Sequence, residues 1–365
     1  MAAERTALTP EELALLTDPE AWKKAAEAGP IRLTNRNVSG VTLTGAHLGG
    51  FIFENVAFVG IEFHDMRLAN ATLTDVSFEA CRFQDSVFDN VTLAGMTMAL
   101  CEFTRTKFIC VNLLRWSSET CHFEEAEWRA SKLTEWQDRG SEFEKSSWTE
   151  LTISQSFLEG TKLNGHQLQQ VQLTANTLRR VYLVECDAGG LSVRASTIDG
   201  LELLLGTYAG LSLDGVTGAG LRIVEANCRG VGLTNCTRLA GITLTAGETH
   251  GLVLDNCKQV SMLTLGYANL HALTLESCQL CGVFINHSKL LSEHSIRNSQ
   301  LDGLDFEESS VENLLIESSL VMTNLRLVNA RFTGLALRGV DYHALAVEPE
   351  GVVYQGGDAF PAQSV

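Results

Sequence analysis

Stepping by five from Leu33 meets Leu33, Val38, Leu43, Leu48, Phe53, Phe58, Phe63, Leu68, Leu73, Phe78, Phe83 and Phe88. The series runs on to Leu233, with lapses at Ser118, Asp138, Ala188 and Gly218. A helix places apolar residues three and four apart, and a half-buried strand places them two apart. Five is odd, so one uninterrupted strand would throw successive Phe side chains to opposite faces. The residue two positions before each bulky one is small or apolar, as at Val41, Ala46, Val56, Ala71, Val76, Cys81, Ser86 and Cys101. The unit is therefore small-x-large-x-x. The physical solution is a short extended piece that points two side chains inward, followed by a turn. Four such sides close a square coil of twenty residues, and the next coil stacks about 4.8 Å away.

Residues twenty apart then lie over one another, and the sequence shows it. Phe63, Phe83, Phe103, Phe123 and Phe143 form one column, Cys81, Cys101 and Cys121 a second, and Phe108, Trp128 and Trp148 a third. Cys suits the slot near the corner as a small hydrophobe. In the second part a phrase of the form GLxL returns about every ten residues, from Gly190, Gly200, Gly210 and Gly220 through Gly241 and Gly251 to Gly303 and Gly334. After Leu233 the phase slips: Cys236, Cys257, Cys278 and Ser299 are each twenty-one apart, which predicts one extra residue per coil, carried as a corner bulge.

This pattern resembles the pentapeptide-repeat family, whose motif is A-(D/N)-L-x-x, over roughly residues 31–347. Asp or Asn before the central Leu is uncommon here. The resemblance implies an all-β solenoid, a right-handed quadrilateral parallel β-helix, and at twenty residues per coil about sixteen coils and a rod on the order of 75 Å. The expected organisation is a helical N-terminal cap over 1–30, a regular β-helix over 31–235, a β-helix of about 21-residue coils over 236–347, and a tail over 348–365. "TPEE" at Thr9 and "DPEAW" at Asp18 read as helix starts, with Gly29 as a stop. Leu13, Leu16, Trp22, Ala25 and Ala26 are expected to cover the first coil, and Tyr354 and Phe360 the last. The final residues are expected to be loose.

A formal charge of −17 argues against nucleic acid or an anionic membrane as a direct partner. No stretch reaches eighteen consecutive apolar residues, and the acidic start lacks the pattern of a signal peptide, so the expected location is cytoplasmic. Ten Cys at repeat positions read as reduced core residues, and the five Asn-x-Ser/Thr sequons as by-products of repeat composition.

Chemistry is sparse. Cys278 and Cys281 form a CxxC without a second ligand pair, "GVTGAG" from Gly215 lacks a Walker lysine, and His287 and His294 read as surface residues. No catalytic residue, cofactor or metal ligand is assigned. Two features stand out as partner-binding candidates. Trp116 and Trp136 occupy the small slot twenty apart, with Ser118 and Asp138 in the large slot. This inversion reads either as a local bulge with Trp over the corner or as an exposed ridge, Trp being favoured in interface hot spots. Asp302, Asp305, Glu307, Glu308, Glu312 and Glu317 form an acidic run with no Lys or Arg between Arg297 and Arg326. It reads as a solvated face or as a docking surface for a basic partner.

Three function classes follow. The first is a non-enzymatic scaffold or adaptor of a bacterial cell, with a secretion or effector system as a special case; its partner is a protein, and a coil end offers a route to a homo-oligomer. The second, implied by the family resemblance, is an acidic DNA mimic that binds a topoisomerase such as DNA gyrase. The third is a β-helix carbohydrate-active enzyme, which needs carboxylates converging across neighbouring coils.

Overall fold

A computed structural model describes residues 4–39, 41–342 and 348–360. The chain divides into two compact units, Met1–Tyr182 and Leu183–Val365. Both are parallel β-solenoids, and together they hold about sixteen coils.

In the first unit one coil is made of the short strands Glu62–His64, Arg67–Ala69, Thr72–Thr74 and Ser77–Glu79. Each pairs in parallel with its counterpart twenty residues on: Phe63 with Phe83, Leu68 with Phe88, Leu73 with Leu93, and Phe78 with Met98. The turn comes from the residue two positions after each bulky one. Asp65, Asn70, Asp75, Ala80 and Asp85 all take φ between +50° and +53°. That left-handed residue breaks the alternation of a strand, so an odd repeat can return every large side chain to the interior. For residues other than Gly it costs about 1–2 kcal/mol each, and cooperative ladders on both sides must offset it. The backbone accounting closes at the corners: Asp65 N–H donates to Gln84 O at 3.0 Å and Arg82 N–H to Ile61 O at 2.9 Å.

The Phe column stands as the spacing demands. Centroids of Phe63, Phe83, Phe103, Phe123 and Phe143 follow one another at 4.5, 4.7, 4.6 and 4.5 Å, with interplanar angles of 2–6°. The small slot does more than save space. Val111 N–H donates to Ser131 Oγ and Ala126 N–H to Ser146 Oγ, both at 3.0 Å. The Ser146 hydroxyl donates to Phe123 O at 3.1 Å or Glu144 O at 3.0 Å. In the same position Cys81 and Cys101 direct their thiols at backbone carbonyls, 3.3–3.5 Å away. Thus where the small slot holds Ser or Cys, the side chain also meets backbone groups of the neighbouring coil.

Two helices precede the coils, α1 (Pro10–Thr17) and α2 (Pro19–Ala26). Thr9 and Glu12 form a reciprocal capping box, and Asp18 accepts from Glu20 N–H at 3.0 Å. Leu16 is buried, and Leu13, Trp22 and Ala25 are half-buried, but Ala26 is exposed rather than covering. Glu12 also binds Arg36 at 2.8 Å, which fastens α1 to the strand Arg32–Ser39.

In the second unit many sides merge in pairs into eight-residue strands such as Glu248–Asp255 and Asn269–Glu276. The phase slip is not uniform, contrary to the reading of one extra residue per coil. Leu233, Leu254, Leu275 and Ile296 step by twenty-one, but Ile296 to Ile316 steps by twenty, as does Val260 to Leu280. Phe332 packs against Tyr354 at 5.5 Å and against Phe360 at 5.6 Å, and Phe360 is buried. The expectation of a loose end falls on 361–365, outside the described residues.

Candidate docking surface

The Trp ridge is absent. Trp116 and Trp136 are 1% and 0% exposed, and their rings stack at 4.7 Å in the interior. Each indole starts from the small slot and occupies the room that a Phe or Leu would fill from the large slot. The large slot then needs a small residue, which is what Ser118 and Asp138 supply. Asp138 is fully buried; its carboxylate accepts from Ser118 Oγ and Thr161 Oγ1, both at 2.5 Å. The signal was present in the sequence as conserved total volume on that side, not as exposure.

The acidic run does not form one surface either, because it winds around a coil. Asp302 lies on one side. Asp305 and Glu307 lie on the next, where Arg326 reaches them at 3.0 and 3.4 Å. Glu308 takes the corner beside His287 at 3.1 Å, Glu312 lies beyond it, and Glu317 meets Arg297 at 3.4 Å. Asp305, expected to point into solvent, is buried beneath Arg326. The sequence gap between Arg297 and Arg326 is filled by neighbouring coils.

The remaining motifs resolve differently. Cys278 is buried, but Cys281 and Cys110 are exposed, unlike the other described Cys. His294 is buried rather than a surface residue. Its Nδ1 accepts from Leu273 N–H at 3.0 Å, and burial lowers its pKa to about 4. His166, buried against Trp148 at 5.1 Å, has neither ring nitrogen partnered among the described residues, and burial lowers its pKa to about 3. Among the described residues no group of three His, Cys, Asp or Glu is arranged to hold a metal. No described helix is long and apolar enough to cross a membrane.

The feature that sequence reasoning missed is a corner of the second unit. Leu205, Glu225, Ala246, Tyr267, His287 and Glu308 stack along it, all with φ between +49° and +55°. Their N–H groups each donate to the coil above, for example Glu225 to Thr245 O and Ala246 to Gly266 O. Tyr267 is 67% exposed, the highest value among the exposed large apolar residues. A bulky side chain in left-handed conformation costs about 1–3 kcal/mol and is worth a functional question. Its ring stacks on His287 at 4.7 Å, so it is held in place and not simply loose. Beneath it Ala246 and Gly247 make a notch, and Glu225, Asn227, Glu248 and Asn269 edge a groove of about 500 Å³. Gly247 is required there, because a Cβ would collide with Ala226 O. Glu225 and Glu248 make no ion pair or side-chain hydrogen bond among the described residues. Period-five reading could not find this site, since Tyr267 sits at a corner position where the repeat prescribes nothing.

A left-handed residue at the fifth position and a parallel counterpart twenty residues on are what a five-residue repeat builds. The fold is a parallel β-solenoid built on a five-residue repeat. No family model matches the chain, and no curated protein matches it. Similar solved structures include HetL, a pentapeptide repeat protein involved in heterocyst differentiation regulation from the cyanobacterium Nostoc sp. strain PCC 7120. It is 15% identical with a TM-score of 0.27, over 54% of this chain and 91% of that one. QnrB1, a plasmid-mediated fluoroquinolone resistance protein, is 12% identical with a TM-score of 0.30, over 51% of this chain and 94% of that one. The catalytic domain of a GH87 alpha-1,3-glucanase is 11% identical with a TM-score of 0.24, over 97% and 68%. At these values none of the likenesses carries an argument about activity.

The charges of the solenoid are organised as ladders. On one side of the first unit Arg82 lies between Glu62 and Glu102, at 3.8 and 3.0 Å, and Lys162 meets Glu142 at 2.6 Å. The negative run on that side is therefore broken by cations.

Proposed function

We propose that this protein is a non-enzymatic interaction scaffold whose docking surface is the Tyr267 corner of the second unit. The observation that carries the reading is Tyr267 itself: exposed, held on His287 and set beside a groove with unpartnered carboxylates. Aromatic residues that bury little in the free protein and much on binding are typical anchors of interfaces. The carbohydrase reading finds less support, because Asp302 and Asp305 lie on different sides and Asp305 is engaged by Arg326. The DNA-mimic reading needs a continuous negative stripe, and the charge ladders of the first unit interrupt one.

The test is affinity capture from the native host with wild type, Tyr267→Gly and Leu100→Gly. Glycine suits the left-handed backbone at both corners, and Leu100 is a comparably placed corner residue in the first unit, 60% exposed. A partner lost with Tyr267→Gly and kept with Leu100→Gly is the expected result. Identical capture by all three proteins removes the proposal.

A further inference from the structure

We infer that the notch beside Tyr267 takes an arginine side chain of the partner; the inference rests on the docking reading above. Two strand spacings separate the corner positions of Glu225 and Tyr267, about 9.6 Å. Between them the corner carries only Ala246, followed by Gly247. A planar guanidinium stacked about 3.5–4 Å from the Tyr267 ring fits in that gap. His287 already occupies the opposite face of the ring, which leaves the groove-side face free.

The charges around the gap match such a guest. Glu225 lies below it and Glu248 beside it, both without an ion-pair partner among the described residues. Asn227 and Asn269 edge the same groove with side-chain amides, whose oxygens can accept from a guanidinium. A guanidinium offers five donors in one plane and tolerates stacking, so carboxylates at its edge and an aromatic at its face satisfy it together. An ammonium would use the charge but not the plate-shaped space. An apolar side chain would leave two carboxylates desolvated without a counter-charge.

The experiment titrates isotope-labelled full-length protein with three peptides, each Gly-Gly-X-Gly-Gly with blocked ends, where X is Arg, Lys or citrulline. The Arg peptide is expected to shift the Tyr267 and Asn269 signals. Citrulline keeps the shape and loses the charge, so it should bind about tenfold more weakly, and Lys should fall between the two. Ala246→Leu fills the notch with a residue that the same corner already holds at Leu205 with φ +55°. It should abolish the shifts while thermal stability is retained, and Glu225→Gln with Glu248→Gln should weaken binding about tenfold. Equal binding of Arg and citrulline overturns the inference, as does Arg binding untouched by Ala246→Leu. If Tyr267→Gly loses the host partner but the Arg peptide gives no shift, docking at this corner stands and the arginine assignment falls. If Arg binds at the notch and host capture ignores Tyr267, the arginine site stands and the scaffold reading falls.

Discussion

The indole Nε1–H of Trp136 donates to Ser118 Oγ at 2.8 Å, across eighteen residues of sequence and inside the solenoid. Ser118 in turn donates to Asp138, so a hydroxyl links the tryptophan to a buried carboxyl. The relationship explains two lapses of the repeat at once. A large side chain from the wrong slot needs polar, compact neighbours in the right one.

Trp136→Ala should therefore cost about 3–5 kcal/mol, as for other buried aromatic truncations. An exposed ridge residue would cost almost nothing. Trp136→Ser combined with Asp138→Leu, which restores the ordinary order on that side, should recover part of the loss relative to Trp136→Ser alone. Urea denaturation of the three variants reads the difference, and a Trp136→Ala protein as stable as wild type would contradict the buried assignment.

Acidification should weaken the fold through His166. Its folded pKa is depressed to about 3, against 6.5 in the unfolded chain. The unfolded state therefore takes up the proton first, and stability present above pH 6.5 is lost as pH falls toward 3. Between pH 7 and 5 the expected loss is on the order of 2 kcal/mol. His166→Leu should flatten this part of the pH profile of the melting temperature; an unchanged slope would show that other groups set it.

Arg326→Met should destabilise the fold measurably, but less than loss of a cation from a fully buried pair, because the Arg326 side chain is 44% exposed and that of Asp305 13%. The loss comes mainly from a carboxylate left without its cation. Asp305→Thr, matching Thr264 two coils below on the same side, should rescue the Arg326→Met protein. A double variant no better than the single would show that Arg326 acts through packing alone.

Gly218→Leu restores the five-residue pattern on paper and should nevertheless destabilise by more than about 3 kcal/mol. Gly218 has φ +116°, and a Cβ there would collide with Ile198 O. A raised melting temperature for this variant would overturn that reading.

The coil itself was legible because Phe63, Phe83 and Phe103 repeat without a slip and volume is what the interior selects. The corners were not. Residues as different as Asp65, Leu100, Arg105 and Cys110 share the left-handed conformation, so composition gives no sign of it. The acidic run from Asp302 to Glu317 was misread as one surface because proximity in sequence is not proximity on a coil. Asp305 and Glu307 meet Arg326 and Glu317 meets Arg297, each one coil away, while Glu308 lies beside His287. Tyr267 was invisible for a related reason: a corner side chain is constrained by nothing inside, so only the structure shows that it is exposed and braced.

The hydroxyls of Ser131 and Ser146 answer backbone amides of the storey beneath them. Such stitching makes the architecture tolerant of some length changes and hostile to others. Removing one residue within a side such as Glu142–Glu144 would turn inward-facing groups outward and leave amides below it unanswered. Loss or gain of a complete circuit, by contrast, would present the next storey with the same partners in the same places. The chain is thus expected to change length by whole circuits, or by single residues tucked into bends like Ser292–Glu293.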